Sequence, residues 1–250
     1  RAGARDAGRS RGGAGRFRVV GIGGVRPAAL AAACVVSRWD TSAGLRGVTP
    51  AHSAGEDITS TWLIDLLGLP EEGAVGFVTG GTMANFTGLA AGRDAVLRGA
   101  GWDVAKRGLG GGPRVRVLVG SERHDTVDVA LRYLGLGSPE PGQVDTQGRL
   151  RADALPPALS SGKGEPTVVV LQAGNVHSGA FDPFDDAISA AHAQGAWVHI
   201  DAAFGLRAAA SPSYQHPVLG YQAAAHGATG APHTLPAPHH PRPPAPPPPA

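Results

Sequence analysis

Residues 167–201 constrain the fold more than any other part of the chain. Thr167 to Leu171 is a short, wholly apolar run, as expected of a strand buried on both faces. Asp182-Pro183 then opens a helical stretch, with Asp182 as its cap, Pro183 as its first residue, and Asp185 and Asp186 in its first turn. Gly195 ends that helix, and Ala196 to Ile200 reads as a second strand that finishes at Asp201. Strand, helix and strand at this spacing make a βαβ unit with parallel strands. The predicted class is therefore α/β, with a mainly parallel sheet flanked by helices.

The rest of the middle of the chain fits that class. Asp57 to Leu67 carries a helical stripe of Ile58, Trp62, Leu63, Leu66 and Leu67, stopped by Gly68 and Pro70. Ala74 to Val78 reads as a strand, followed by a turn at Gly80-Gly81-Thr82 and a helix with Phe86, Leu89, Ala90, Val96 and Leu97 on one side. Val115 to Val119 reads as a strand, and Asp125 to Leu134 as a helix with Val129, Ala130, Tyr133 and Leu134 apolar. Residues 1–34 read as a low-complexity, disordered segment, and residues 35–214 as the globular part. Residues 215–250 read as a Pro/His/Ala-rich disordered tail that holds 11 of the 22 prolines.

Composition excludes several function classes. The net charge is +2, and aromatic residues make only 5% of the chain without interleaving the arginines, which argues against a nucleic-acid partner. The single cysteine, Cys34, excludes an internal disulfide framework and reads as a buried structural thiol. No apolar stretch has the length of a membrane span, so a cytoplasmic, reducing setting is expected. His192 and His199 fall on different elements, while His233, His239 and His240 lie in the tail. With no HExxH pattern, no metal site is expected. Gly21-Ile22-Gly23-Gly24 lacks the third glycine of a dinucleotide fingerprint and is followed by Pro27.

In parallel sheets, ligands bind beyond the carboxyl ends of the strands. Four segments fall there. Gly80-Gly81-Thr82 opens a helix and is either an anion cradle or a plain tight turn. His124 follows the second strand and is either a ligand contact or a loop histidine. Asn175 lies in the polar loop 174–179. Asp201, followed by Ala202 and Ala203, is either a paired functional carboxylate or the cap of the next turn.

The order and spacing of these segments resemble the fold-type I pyridoxal-phosphate enzymes. Among them the chain is most similar to the group II amino-acid decarboxylases, the aromatic-amino-acid and glutamate decarboxylase family. The resemblance is carried by WDTSAG (39–44), TPA (49–51), WLIDLLGLP (62–70), GFVTGGTMANFTGLAAGRD (76–94), GWDV (101–104), ERHDTVDVALRYLGLG (122–137), GNVHSGAFDPFDD (174–186) and WVHIDAAFGLRAAASP (197–212). It covers about residues 35–216. It implies that pyridoxal 5'-phosphate is held by its phosphate at Gly81 and Thr82. His124 would stack on the ring as a candidate acid or base, Asn175 would lie near the ring hydroxyl, Asp201 would pair with the pyridine nitrogen, and Ala203 would pack on the ring. Thr49 and Pro50 would line the substrate side. It also implies an amino-acid substrate, loss of its α-carboxyl, and a homodimer. Aminotransferase or desulfurase chemistry is the alternative on the same fold, and a non-catalytic, partner-binding remnant is another.

Some positions depart from the family pattern. His177 stands where Asn or Thr is usual, and Arg207 where a small or apolar residue is usual. Ser138-Pro139-Glu140-Pro141 looks too short to hold the strand expected before Asp145. The largest departure concerns lysine. The resemblance implies a lysine some thirty residues beyond Asp201 that forms a Schiff base with the cofactor. The chain has only Lys106 and Lys163, both read as solvated surface residues. With no Asp, Glu or Lys after Asp201, the end reads as a frame change or mis-spliced terminus, leaving activity impaired or lost. Sequencing the transcript across residues 205–220 is expected to show a break in frame; an uninterrupted frame encoding the same tail contradicts this.

Overall fold

The computed structural model describes residues 26–39, 44–162, 164–213, 218, 220–221 and 228–229. The chain divides into two compact units. One spans residues 1–40 with 232–250, and the other residues 41–231. In the first, α1 (Pro27–Trp39) carries no buried residue. Two expectations change here. Residues 27–34 are helical rather than disordered, because PAALAAAC has the composition of a good helix former. Cys34 is exposed rather than buried, on a helix with no buried residue.

The second unit holds α2 (Pro50–Leu67), α3 (Gly81–Gly99), α4 (Val104–Arg107), β1 (Arg116–Gly120), α5 (Asp125–Tyr133), β2 (Glu140–Gly142), α6 (Leu155–Ser160), β3 (Thr167–Gln172), α7 (Phe184–His192), β4 (Trp197–Asp201) and β5 (Ala228–Thr229). The sheet order is β2-β1-β3-β4-β5, with every pair parallel. Register runs Val117 to Val168 between β1 and β3, and Gln172 to Asp201 between β3 and β4.

Alternation along the strands divides the core in two. Val169 and Leu171 of β3, with Val198 and Ile200 of β4, meet Phe184 and Ile188 of α7 and Leu155 and Leu159 of α6. Val168 and Val170, with Val117 and Val119 of β1, meet Leu89 and Leu97 of α3 and Val127, Ala130 and Leu131 of α5. The predicted βαβ unit is present as β3, α7 and β4. The connection leaving β1 therefore packs its helix on one face, and the connection leaving β3 packs its helix on the other. The two part above the ends of β1 and β3 and leave a crevice there.

The edge strand β2 is held by a buried cation. Arg116 is only 4% exposed, and its Nε and Nη2 donate to Glu140 Oε1 and Oε2 at 3.1 and 2.6 Å. Nη2 also donates to the carbonyl of Ala158 at 3.1 Å. The bond from Arg116 holds the Glu140 carboxyl below its ordinary range. Residues 138–141 therefore keep a strand, contrary to the expectation that it is lost.

Other expectations are corrected. Ala74–Val78 is not a strand. It has no neighbouring strand among the described residues, and Phe77 and Val78 are exposed. On α2 only Leu67 is buried, while Ile58 and Trp62 are exposed. Tyr133 is exposed, and Val127 and Leu131 take its place in the core, so the buried stripe of α5 is shifted around the helix. The residues beyond 214 are not all apart from the core: Val218 and Tyr221 are buried in it, and Ala228–Thr229 pairs with β4, because β4 would otherwise leave an unpaired edge. Lys163 and residues 214–217 lie outside the described residues.

Asp182 does not cap α7, whose N-cap is Pro183. Its buried carboxylate accepts the backbone N–H of Leu150 and of Gln172, both at 2.7 Å, tying the 145–151 turn to the end of β3. Burial pushes this carboxyl up to about 6, against the pull of those two N–H donors. The folded chain thus binds the proton more tightly than the unfolded one. Stability from this group is complete below about 4 and is lost as the pH rises through about 6. Asp182→Asn is expected to flatten that pH dependence in chemical denaturation and to cost about 1–3 kcal/mol, because only one of the two N–H groups keeps an acceptor. An unchanged slope between those pH values contradicts this.

Candidate functional site

The crevice beyond β1, β3 and β4 is lined by Gly120, Glu122, His124, Gln172 and Asp201 among others. Asp201 is the last residue of β4 and is 6% exposed. Its register partner Gln172 ends β3 on the same face of the sheet, the face covered by α3 and α5. Asp201 Oδ2 accepts from Asn85 Nδ2 at 3.1 Å, and Oδ1 accepts the Ala203 N–H at 3.3 Å. The carboxylate therefore caps the following turn and also borders the crevice. Its donors offset part of the cost of burying a charge.

His124 caps α5 with its ring. Nδ1 accepts the Thr126 N–H at 3.2 Å and lies 2.9 Å from Thr126 Oγ1. With Nδ1 the acceptor, Nε2 carries the proton of the neutral ring. The ring is exposed at the crevice mouth. The neighbouring Arg123 is committed to Asp128 through two bonds of 2.8 Å and is not available to a ligand anion.

Gly81 and Thr82 open α3 behind Gly80, whose φ of 150° favours glycine. A Cβ built on Gly80 or Gly81 would meet nothing within 4 Å. The first N–H groups of a helix have no acceptor within it. Asn85 lies four residues further along α3, about 6 Å along the axis, and there it reaches Asp201. Neither Gly81 nor Thr82 lines the crevice; Asn85 links their helix to the Asp201 carboxylate.

Other expected residues sit differently. Asn175 is 5% exposed, and both ends of its amide are engaged by the protein. Its Nδ2 donates to Glu122 O and Gln172 Oε1 at 3.1 and 3.2 Å, and its Oδ1 accepts from the N–H groups of His177 and Ser178 at 2.9 and 3.2 Å. It shapes the loop rather than presenting a free amide. Ala203 is half-buried in the turn after β4. Thr49 is buried, donates to Leu45 O at 3.3 Å and precedes α2, whose first residue is Pro50; neither lines this crevice. Lys106 sits in α4, 3.3 Å from Asp103 and exposed.

Three polar residues escape a reading by strand ends alone. Asn85 is a buried amide among the apolar positions of α3, and Gln172 is the one polar residue closing β3. His199 is wholly buried, with Nε2 2.9 Å from Asn85 Oδ1 and Nδ1 without a hydrogen-bond partner. Burial pushes this imidazole down to about 4, against the nearby Asp201, so the ring is neutral. Gly88 leaves room for it: a Cβ there would come within 2.6 Å of the ring.

The pyridoxal-dependent decarboxylase conserved domain matches residues 30–235. The chain is 31% identical over 182 residues to L-2,4-diaminobutyrate decarboxylase of Rhizobium meliloti (strain 1021), covering 71% of this chain and 34% of that protein. It superposes on the crystal structure of mouse CSAD with a TM-score of 0.72 and 27% identity, covering 80% of this chain and 43% of that one. It also superposes on Oryza sativa TDC solved with PLP and tryptamine, with a TM-score of 0.70 and 27% identity, covering 84% of this chain and 47% of that one. The chain spans about a third of the length of the curated relatives it matches.

Proposed function

The chain belongs to the pyridoxal-dependent decarboxylase family, and from that premise we propose that its crevice is the ring and phosphate site of an amino-acid carboxy-lyase. The observation that carries this reading is the buried carboxylate Asp201 at the crevice, bonded to Asn85 of α3, the helix that begins four residues earlier at Gly81. The residues present fit pyridoxal 5'-phosphate. The free N–H groups at Gly81 and Thr82 would hold the phosphate, with the Thr82 hydroxyl as a further donor. Asp201 would accept the proton of the pyridine nitrogen, and His124 would lie against the ring. When bound, the cofactor supplies an electron sink for the pair left behind as CO2 departs.

The protein's own groups have defined parts in that chemistry. Asp201 holds a negative charge at the floor of the crevice, steadied by Asn85 and the Ala203 N–H. His124 keeps its proton on Nε2 because Nδ1 is engaged by the cap, so Nε2–H is the donor it offers at the crevice mouth. Ala202 and Ala203 leave room beside the carboxylate. An amino acid would be the substrate. A second copy of the chain is the expected partner, consistent with the exposed Trp62, Phe77, Val78 and Met83. A reducing, cytoplasmic setting suits a chain with one cysteine. Among the described residues, no helix is long and apolar enough to cross a membrane.

A second reading, a site that holds the cofactor without turning substrate over, is favoured by one count. No lysine follows Lys163 in these 250 residues, so Asp201 has none beyond it in sequence. Titration with pyridoxal 5'-phosphate tests both readings. Saturable binding is expected, weakened at least about tenfold by Asp201→Ala, with no phosphopyridoxyl-lysine found by mass spectrometry after borohydride reduction. Absence of binding, or equal binding by the Asp201→Ala variant, contradicts the cofactor site. A single reduced adduct on one lysine contradicts the non-covalent reading.

A further inference from the structure

Asn85 is 1% exposed and joins three elements. Its Nδ2 donates to Asp201 Oδ2 on β4 at 3.1 Å and to Thr126 Oγ1 on α5 at 3.0 Å. Its Oδ1 lies 2.9 Å from His199 Nε2. The chemistry of the neighbours fixes which way the amide faces. A carboxylate oxygen only accepts, so the group beside Asp201 must be the NH2. With His199 neutral, its Nε2–H then donates to Oδ1. The flipped amide would set oxygen against carboxylate and NH2 against N–H. Thr126 Oγ1, accepting from Asn85, has its own proton left for His124 Nδ1 at 2.9 Å.

We propose that Asn85 is the positioning residue of this site, orienting the Asp201 carboxylate and, through the Thr126 hydroxyl, tying it to the His124 ring. The assignment rests on the reading that Asp201 serves the cofactor. Asn85 itself does not line the crevice, so it acts through its neighbours. It explains why an amide occupies a buried position on α3, next to the apolar contacts of Leu89. It also explains how two crevice groups from β4 and α5 keep a fixed separation although no direct bond joins them.

Asn85→Asp keeps the size of the side chain and an acceptor for His199 but sets a second carboxylate against Asp201. The titratable groups around it are Asp201 and His199 from β4 and, through Thr126, His124 from α5. Two carboxylates this close share a proton, which returns the missing donor as the pH falls. Affinity for pyridoxal 5'-phosphate is therefore expected to drop at least about tenfold in Asn85→Asp at about pH 8. Much of it should return at about pH 6, while Asn85→Leu is weakened alike at both. Wild-type affinity in Asn85→Asp at the higher pH, or an equal loss at both, overturns the proposal.

Ligand-free NMR separates this from failure of the cofactor reading. If the wild-type chain takes up no pyridoxal 5'-phosphate, that reading fails, and the histidine ring signals decide the role of Asn85. Ring signals of both His199 and His124 that move in Asn85→Asp, in a variant with native thermal unfolding, support the relay. A His124 ring that stays in place overturns it, because that ring meets Asn85 only through Thr126. Should Asn85→Asp not fold, Thr126→Val cuts the relay from its other end: a His199 ring signal that moves supports it, and one that stays in place overturns it.

Discussion

Burial of β3 on both faces is the constraint on which the rest of the structure depends. Val168 and Val170 need helices on one side, and Val169 and Leu171 need helices on the other. A parallel strand in that position must be entered and left by crossovers; those entering and leaving β3, through α6 and α7, share one face, while α5 takes the other. α5 follows β1 on one face, and α7 follows β3 on the other. The gap between the two connections is the crevice, so the packing of four apolar side chains determines where a ligand can go. The polar residues then have little choice of place. Gln172 and Asp201 end neighbouring strands in register, and both emerge on the α3 and α5 face.

Two buried carboxylates show how the same residue type is put to different ends. Asp182 faces backbone N–H groups and holds a turn to the end of β3. Asp201 faces the side-chain amide of Asn85 and the Ala203 N–H, and both carboxylates border the crevice. The first is structural because its partners are fixed backbone. The second is held by a side chain, Asn85, that also reaches His199 and Thr126. His124 and His199 divide in the same way. One is an exposed ring with its proton on the outward nitrogen, and the other is a buried neutral ring committed to Asn85.

Much of this was legible in the residues. The short, mainly apolar runs at 115–119, 167–171 and 196–200 mark the central strands, because such runs between turn signals suit a sheet buried on both faces. His124 and Asp201 stand out in the sequence because they follow strands, where ligands bind in parallel sheets. What was not legible depended on distant partners. Ala74–Val78 has strand composition, but pairing needs a neighbouring backbone that the pattern cannot reveal. Tyr133 fits the apolar stripe of α5 by spacing, yet the helix turns Val127 and Leu131 to the sheet. Asp182-Pro183 has the pattern of a helix cap, but two N–H groups 10 and 32 residues away claim the carboxylate instead. Asn85 went unread because its three partners come from residues 126, 199 and 201.

The central claim is that one face of the sheet, at the ends of β1, β3 and β4, forms the site together with the start of α3. Amide chemical-shift mapping during addition of pyridoxal 5'-phosphate tests it most directly. The account predicts saturable shifts confined to residues around Gly81, Thr82, His124 and Asp201. Shifts clustered elsewhere, or saturable binding that leaves Gly81 and Asp201 unmoved, would contradict it.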